Sequence, residues 1–81
     1  MNGLEAIRSV KKKRFAMCID NTDYEASLIP RKIYEVLPDD EAFKDGFLRI
    51  TDESGEDYLY YNSHFVLIEL PAEAEQMLMA A

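Results

Sequence analysis

The first clear pattern along the chain is an apolar run, Phe15-Ala16-Met17-Cys18-Ile19, which reads as a buried strand and stops at Asp20. Asn21-Thr22-Asp23 follows as a turn cluster, since short polar side chains bond to their own backbone there. Ile33-Tyr34-Glu35-Val36-Leu37 is rich in β-branched and aromatic residues and stops at Pro38-Asp39-Asp40, so it reads as a second strand. Asp45-Gly46 marks a turn into Phe47-Leu48-Arg49-Ile50. The segment from Ile50 to Tyr60 places a polar loop with Gly55 between two β-type runs and predicts a hairpin. Asn62-Ser63-His64 interrupts the pattern, and Phe65–Leu70 forms a last strand. Five short strands without intervening helices predict an all-β domain, a small barrel rather than a parallel sheet.

The two ends carry a different period. Leu4, Ile7 and Val10 fall three apart and suit one short helical face, while Lys11 to Arg14 repel one another. The N-terminal arm, residues 1–14, is therefore expected to be either helical or frayed. Past the barrel, residues 15–70, Pro71 suits the first position of a helix, and Glu73 and Glu75 favour the positive end of its dipole. Ala74, Met77, Leu78 and Ala81 share one face, so a C-terminal helix is expected over residues 71–81. A helix that short is marginal alone, and its apolar face needs a cover.

Composition narrows the class. With 81 residues the chain has room for one small core and not for a cleft between domains. Leu, Ile, Val and Phe make up about a quarter of it, above the roughly 20 % below which disorder is expected. The net charge is −7, but it is unevenly spread: Arg8, Lys11, Lys12, Lys13 and Arg14 against Glu5 give the arm +4, leaving −11 for the rest. An acidic body repels phosphates and anionic membranes, so only the arm could serve either.

Cys18 is the single cysteine, which excludes an intrachain disulfide and a thiolate zinc cluster within one chain. The basic stretch precedes only five apolar residues, short of the roughly 7–15 of a secretory signal, and nothing approaches the ~18 of a membrane span. The expected compartment is the cytoplasm, with no membrane partner.

The order of these signals resembles an SH3-type barrel. Glu25-Ala26-Ser27-Leu28 and then Arg31-Lys32-Ile33-Tyr34-Glu35-Val36-Leu37 resemble the passage from the first long loop of SH3 domains into the second strand. Asp45-Gly46-Phe47-Leu48-Arg49 resembles their turn and third strand, with Phe47 where tryptophan is usual. Ser63-His64-Phe65-Val66 looks like the short helical turn into the final strand. The stretch also resembles small uncharacterised bacterial proteins with a Gly-Glu-Asp-Tyr-Leu-Tyr segment, here Gly55–Tyr60. The likeness covers roughly residues 15 to 70 and implies a five-stranded SH3-like barrel. It does not imply polyproline binding: the chain lacks tryptophan, Met17-Cys18-Ile19-Asp20-Asn21 replaces the aromatic first-loop run, and Arg31 stands where glycine is expected.

Candidate chemistry is sparse. Asp52, Glu53, Glu56 and Asp57 crowd one loop, but the EF-hand spacing fails, with Gly55 at the fourth position from Asp52 and Ser63 at the twelfth. A soluble hairpin turn is the better reading. His64 has no sequence-evident nucleophile or carboxylate fixed against it, and nothing near Cys18 is cationic. No catalytic set, metal site or cofactor loop is expected. Tyr58 and Tyr60 share one strand face and Leu59 and Tyr61 the other, so some tyrosine reaches solvent. The leading expectation is a non-enzymatic protein-interaction or regulatory module. Its partner would meet Tyr24, Tyr34, Tyr58, Tyr60 and Tyr61, or Met77 and Leu78 on the C-terminal helix, where self-association is an option. The alternative is a nucleic-acid accessory acting through Arg8, Lys11, Lys12, Lys13 and Arg14.

Overall fold

A computed structural model describes residues 15–79. Strands β1 (Phe15–Cys18), β2 (Ile33–Leu37), β3 (Phe47–Thr51), β4 (Asp57–Tyr61) and β5 (Phe65–Ile68) form one sheet in the order β4-β3-β2-β1-β5. Every neighbouring pair is antiparallel. The five strands lie where the alternation put them, although β1 ends before Ile19 and β5 before Glu69.

The sheet does not close into a barrel, which corrects that part of the expectation. After β4, the Asn62 N–H turns back to the Gly46 carbonyl at 2.9 Å, and a 3-10 turn over Asn62–His64 carries the chain to the opposite edge. There the Ile19 N–H bonds the His64 carbonyl at 2.8 Å and β5 lines up on β1. The gap between β4 and β5 is spanned by side chains instead of a ladder, with the Tyr60 and Phe65 rings edge-on at 6.0 Å.

A short helix, α1 (Asp40–Lys44), sits where only a turn was expected. Its signal is local. Asp39 caps it by accepting the Ala42 N–H at 3.0 Å, Asp40 and Glu41 occupy the first turn, and Lys44 the last. Gly46, at φ 88, then takes the left-handed turn into β3.

The core lies on one face of the curled sheet: Ala16 and Cys18 of β1, Tyr34 of β2, Leu48 and Ile50 of β3, Tyr60 of β4 and Phe65 of β5, closed by Leu28 from the β1–β2 loop. Full burial of Leu28 and Ile50 contributes about 1.5–3 kcal/mol each. Two left-handed residues flank Leu28 in this loop, Asp23 at φ 72 before it and Arg31 at φ 70 after it. Arg31 thus adopts a backbone conformation that glycine reaches without strain, and its N–H bonds the Cys18 carbonyl at 2.7 Å.

The C-terminal helix, α2, spans Ala72–Met79 and buries none of its residues. Met77, Leu78 and Met79 are exposed, so the sheet does not supply the cover its apolar face needs. The expected N-terminal arm lies outside the described residues, as does Ala81.

Candidate functional site

The β3–β4 hairpin has two faces of opposite character. Its register pairs Phe47 with Tyr61, Leu48 with Tyr60, Arg49 with Leu59, Ile50 with Tyr58 and Thr51 with Asp57. Since side chains alternate, Tyr60 joins Leu48 and Ile50 on the core side, while Tyr61 and Leu59 join Phe47 and Arg49 on the outer side. The register is set by the three-residue loop Glu53-Ser54-Gly55. Asp52 N–H bonds the Glu56 carbonyl at 3.0 Å across it, and Gly55 adopts φ 85.

On the core side a polar network ties the hairpin to the β1–β2 loop. Tyr60, 4 % exposed, meets Tyr24 edge-on at 4.9 Å and donates its phenol proton to Asp52 Oδ2 at 2.6 Å. A phenol has one proton, so Ser27 Oγ, 3.2 Å away, donates to the Tyr60 oxygen. Asp52 also accepts from Ser54 N–H at 2.9 Å and Ser54 Oγ at 2.6 Å. Burial alone would raise the Asp52 pKa; the bonds from Ser54 and Tyr60 together outweigh it and hold it below the usual carboxylate range. Burial, then the bond to Asp52, pushes Tyr60 up to about 12.

Beside it, Tyr34 donates to Glu53 Oε2 at 2.6 Å and accepts the Ile29 N–H at 2.8 Å, and Lys32 Nζ reaches the same Glu53 oxygen at 2.6 Å. Burial, reinforced by Glu53, raises Tyr34 as well. Tyr34 and Tyr60 are thus core residues, which removes these two from the expected docking surface, and Tyr24 is half-buried against the core. A small sheet can bury large rings only where each hydroxyl has a partner, and both phenols have one.

On the outer side, Phe47 and Tyr61 stack at 4.7 Å with 26° between their planes. Tyr61 is 58 % exposed, and Leu59 next to it 43 %. Tyr58 faces the core side by register, yet at the end of the strand its ring is half exposed and its hydroxyl donates to Glu56 at 2.9 Å. Arg49 is held between Asp39 Oδ2 at 2.8 Å and Asp57 Oδ2 at 3.0 Å. The outcome is an aromatic and apolar patch rimmed by fixed charges. Phe47, Arg49 and Leu59 escaped the sequence reading. The same alternation could have placed Phe47 and Arg49, because an arginine at the centre of a strand must face water and thereby turns Leu48 and Ile50 inward; Leu59 follows only once the register with β3 is known.

The other candidates are accounted for. His64 Nδ1 lies 2.7 Å from the Asp20 carbonyl, which can only accept, so the proton sits on Nδ1. Cys18 is fully buried and burial raises its thiol pKa, so thiolate is scarce. Each loop carboxylate is engaged: Asp52 and Glu53 as above, Glu56 by Tyr58 and Asp57 by Arg49. Among the described residues no group of three or more His, Cys, Asp or Glu could hold a metal ion, and no helix is long and apolar enough to cross a membrane. Met77 and Leu78 are exposed on α2, and Arg8, Lys11, Lys12, Lys13 and Arg14 lie outside the described residues. No family model, curated protein or solved structure matches the chain.

Proposed function

We propose that this chain is a non-enzymatic protein-interaction module of the SH3-like type, resembling the small bacterial proteins with the Gly-Glu-Asp-Tyr-Leu-Tyr segment, and that its partner binds the outer face of the β3–β4 hairpin. The strand order β4-β3-β2-β1-β5 and the 3-10 turn before the last strand support the fold assignment. The observation that carries the function is the exposed Tyr61 ring, stacked on the half-buried Phe47 beside the exposed Leu59 and bounded by Arg49 and Asp57. Exposed aromatic area at the centre with a polar rim is the make-up of a binding surface, and rigid rings lose little entropy on docking. The hydroxyls, carboxylates and imidazole that could do chemistry hold the loops together, which supports a binding role over a reaction.

The test is site-specific photo-crosslinking in the source cell. A benzophenone side chain at position 61 yields a discrete protein adduct, and one at Glu73 on α2 does not. An adduct from position 61 that nuclease removes would replace the reading with nucleic-acid binding, and no adduct at that position would remove it.

A further inference from the structure

The edge of β4 carries more information than its side chains. In an antiparallel ladder, the two residues of one pair exchange both backbone bonds, and those of the next pair turn theirs away. Asn62 N–H bonds the Gly46 carbonyl and Asp52 N–H the Glu56 carbonyl, which places the bonded pairs at even positions of β4. Tyr58 and Tyr60 therefore face β3 with their N–H and C=O groups. Asp57, Leu59 and Tyr61 turn theirs outward, on the side where the sheet has no further strand.

Natural edges are blunted by lysine, proline or a bulge. The ladder from Gly46–Asn62 to Asp52–Glu56 keeps its register without a bulge, and Asp57–Tyr61 contains neither lysine nor proline. The other edge differs: on β5 the outward Phe65 N–H is spent on the Asn62 carbonyl of the 3-10 turn. The open β4 edge also coincides with the exposed patch, since Asp57, Leu59 and Tyr61 are the residues whose side chains lie on the outer face.

We infer that the partner enters as an extended, basic segment of another protein, which adds a strand to the β4 edge beside Asp57, Leu59 and Tyr61. This rests on the proposed function and specifies its partner. Main-chain bonds to the outward groups supply affinity, and the outer face selects alternate side chains. Apolar residues fit beside Tyr61 and Leu59, and a cation two positions further on meets Asp57. The charge follows from the surroundings: Asp39 and Asp57 flank a single arginine, Arg49, on a body that carries −11 outside its arm. The same charge disfavours pairing with a second copy's edge. The chain's own arm is basic, but Lys11-Lys12-Lys13-Arg14 lacks the alternation that the outer face requires.

The test uses the full chain, backbone amide exchange by NMR, and three synthetic nine-residue peptides. One, otherwise threonine, carries valine at positions 3 and 5 and lysine at position 7, so that all three share a strand face; one has the same composition with its lysine moved to position 6, on the opposite face; and one has glutamate at position 7. The first is expected to slow exchange at Leu59 and Tyr61, and the other two to bind at least about ten-fold more weakly. Leu59→Pro deletes one outward N–H and no bond to β3, so it lowers affinity for the first peptide by about ten-fold or more. Leu59→Lys, which keeps the backbone, serves if the proline variant does not fold, and is expected to weaken binding in the same direction. Protection of Leu59 and Tyr61 in the chain alone would show that this chain or its copy occupies the edge, and would overturn the inference. Failure of the first peptide to bind, or unchanged affinity in both Leu59 variants, would also overturn it. If the photo-adduct at position 61 survives in that case, the outer face stands as an interface without strand addition; if it is missing too, both readings fall.

Discussion

Tyr60 and Tyr61 are adjacent in the chain, share a strand and have opposite fates. Tyr60 is buried among Tyr24, Phe65 and Ile50, with its hydroxyl bonded to a buried carboxylate, while Tyr61 lies in solvent against one neighbouring ring. The contrast separates two reasons for placing a large aromatic residue in a small protein. On the core side the ring fills volume and the hydroxyl ties two loops together, so removal is costly and locally irreparable. On the outer side the ring fills nothing within the chain, and its cost of removal falls on whatever binds there. If the division is right, substitutions one residue apart will differ several-fold in stability and will invert in their effect on binding.

The largest effect is expected from Tyr60→Ala. It deletes a buried ring and leaves Asp52 without its phenol donor, and should cost about 3–5 kcal/mol of unfolding free energy in urea. A loss below that of Tyr61→Ala would break the comparison. Tyr60→Phe keeps the volume and removes only the hydroxyl, so it isolates the bond to the carboxylate, with an expected loss of about 1.5–3 kcal/mol.

The same bond has a signature in pH. Asp52 is held below its unfolded value, so its contribution is complete above the ordinary carboxylate pKa and is lost as pH falls through the folded value. Tyr60 is raised to about 12 from about 10, so its contribution is complete below pH ~10 and is lost as pH climbs toward 12. Stability measured across pH should therefore fall at both ends, and Tyr60→Phe should flatten both limbs. Unchanged limbs in that variant would mean the network is not where the stability lies.

Much of this was legible in the chain. The run from Ile50 to Tyr60 announces its hairpin, because a loop rich in carboxylates with glycine at the left-handed position can hardly be anything else. The pairing of Tyr58 with Tyr60 and of Leu59 with Tyr61 on opposite faces follows from the strand period. Which face became core did not follow, because it depends on the register that the three-residue loop imposes across from Leu48. α1 was hidden behind Pro38-Asp39-Asp40, where a proline next to two aspartates signals a stop as readily as a cap; the decisive fact is the Asp39 bond to Ala42. Closure was illegible for a different reason. Alternation reveals which residues face inward along each strand, and says nothing about whether the first and last edges of the sheet meet.

Tyr61→Ala should be mild in the free protein, costing about 0.5–1.5 kcal/mol for the lost stacking on Phe47. A larger loss would show that the outer ring does structural work and would weaken the case for an interface there.

The smallest effect on stability sharpens the comparison most. Leu59 lies between Tyr58 and Tyr60 in the chain, pairs with Arg49 across the ladder and is exposed on the outer face. Leu59→Lys removes apolar area that the fold does not bury well and places a chain of four methylenes there whose ammonium reaches water, so unfolding free energy should stay within about 0.5 kcal/mol. The substitution also puts the cation that sheet edges ordinarily carry on one that lacks it, and sets it beside Tyr61 where a basic partner would arrive. The photo-adduct at position 61 should then fall sharply while the urea midpoint stays in place. A strand whose surface residue can be exchanged at no cost to folding, and only at the expense of binding, has that residue for its partner rather than for itself.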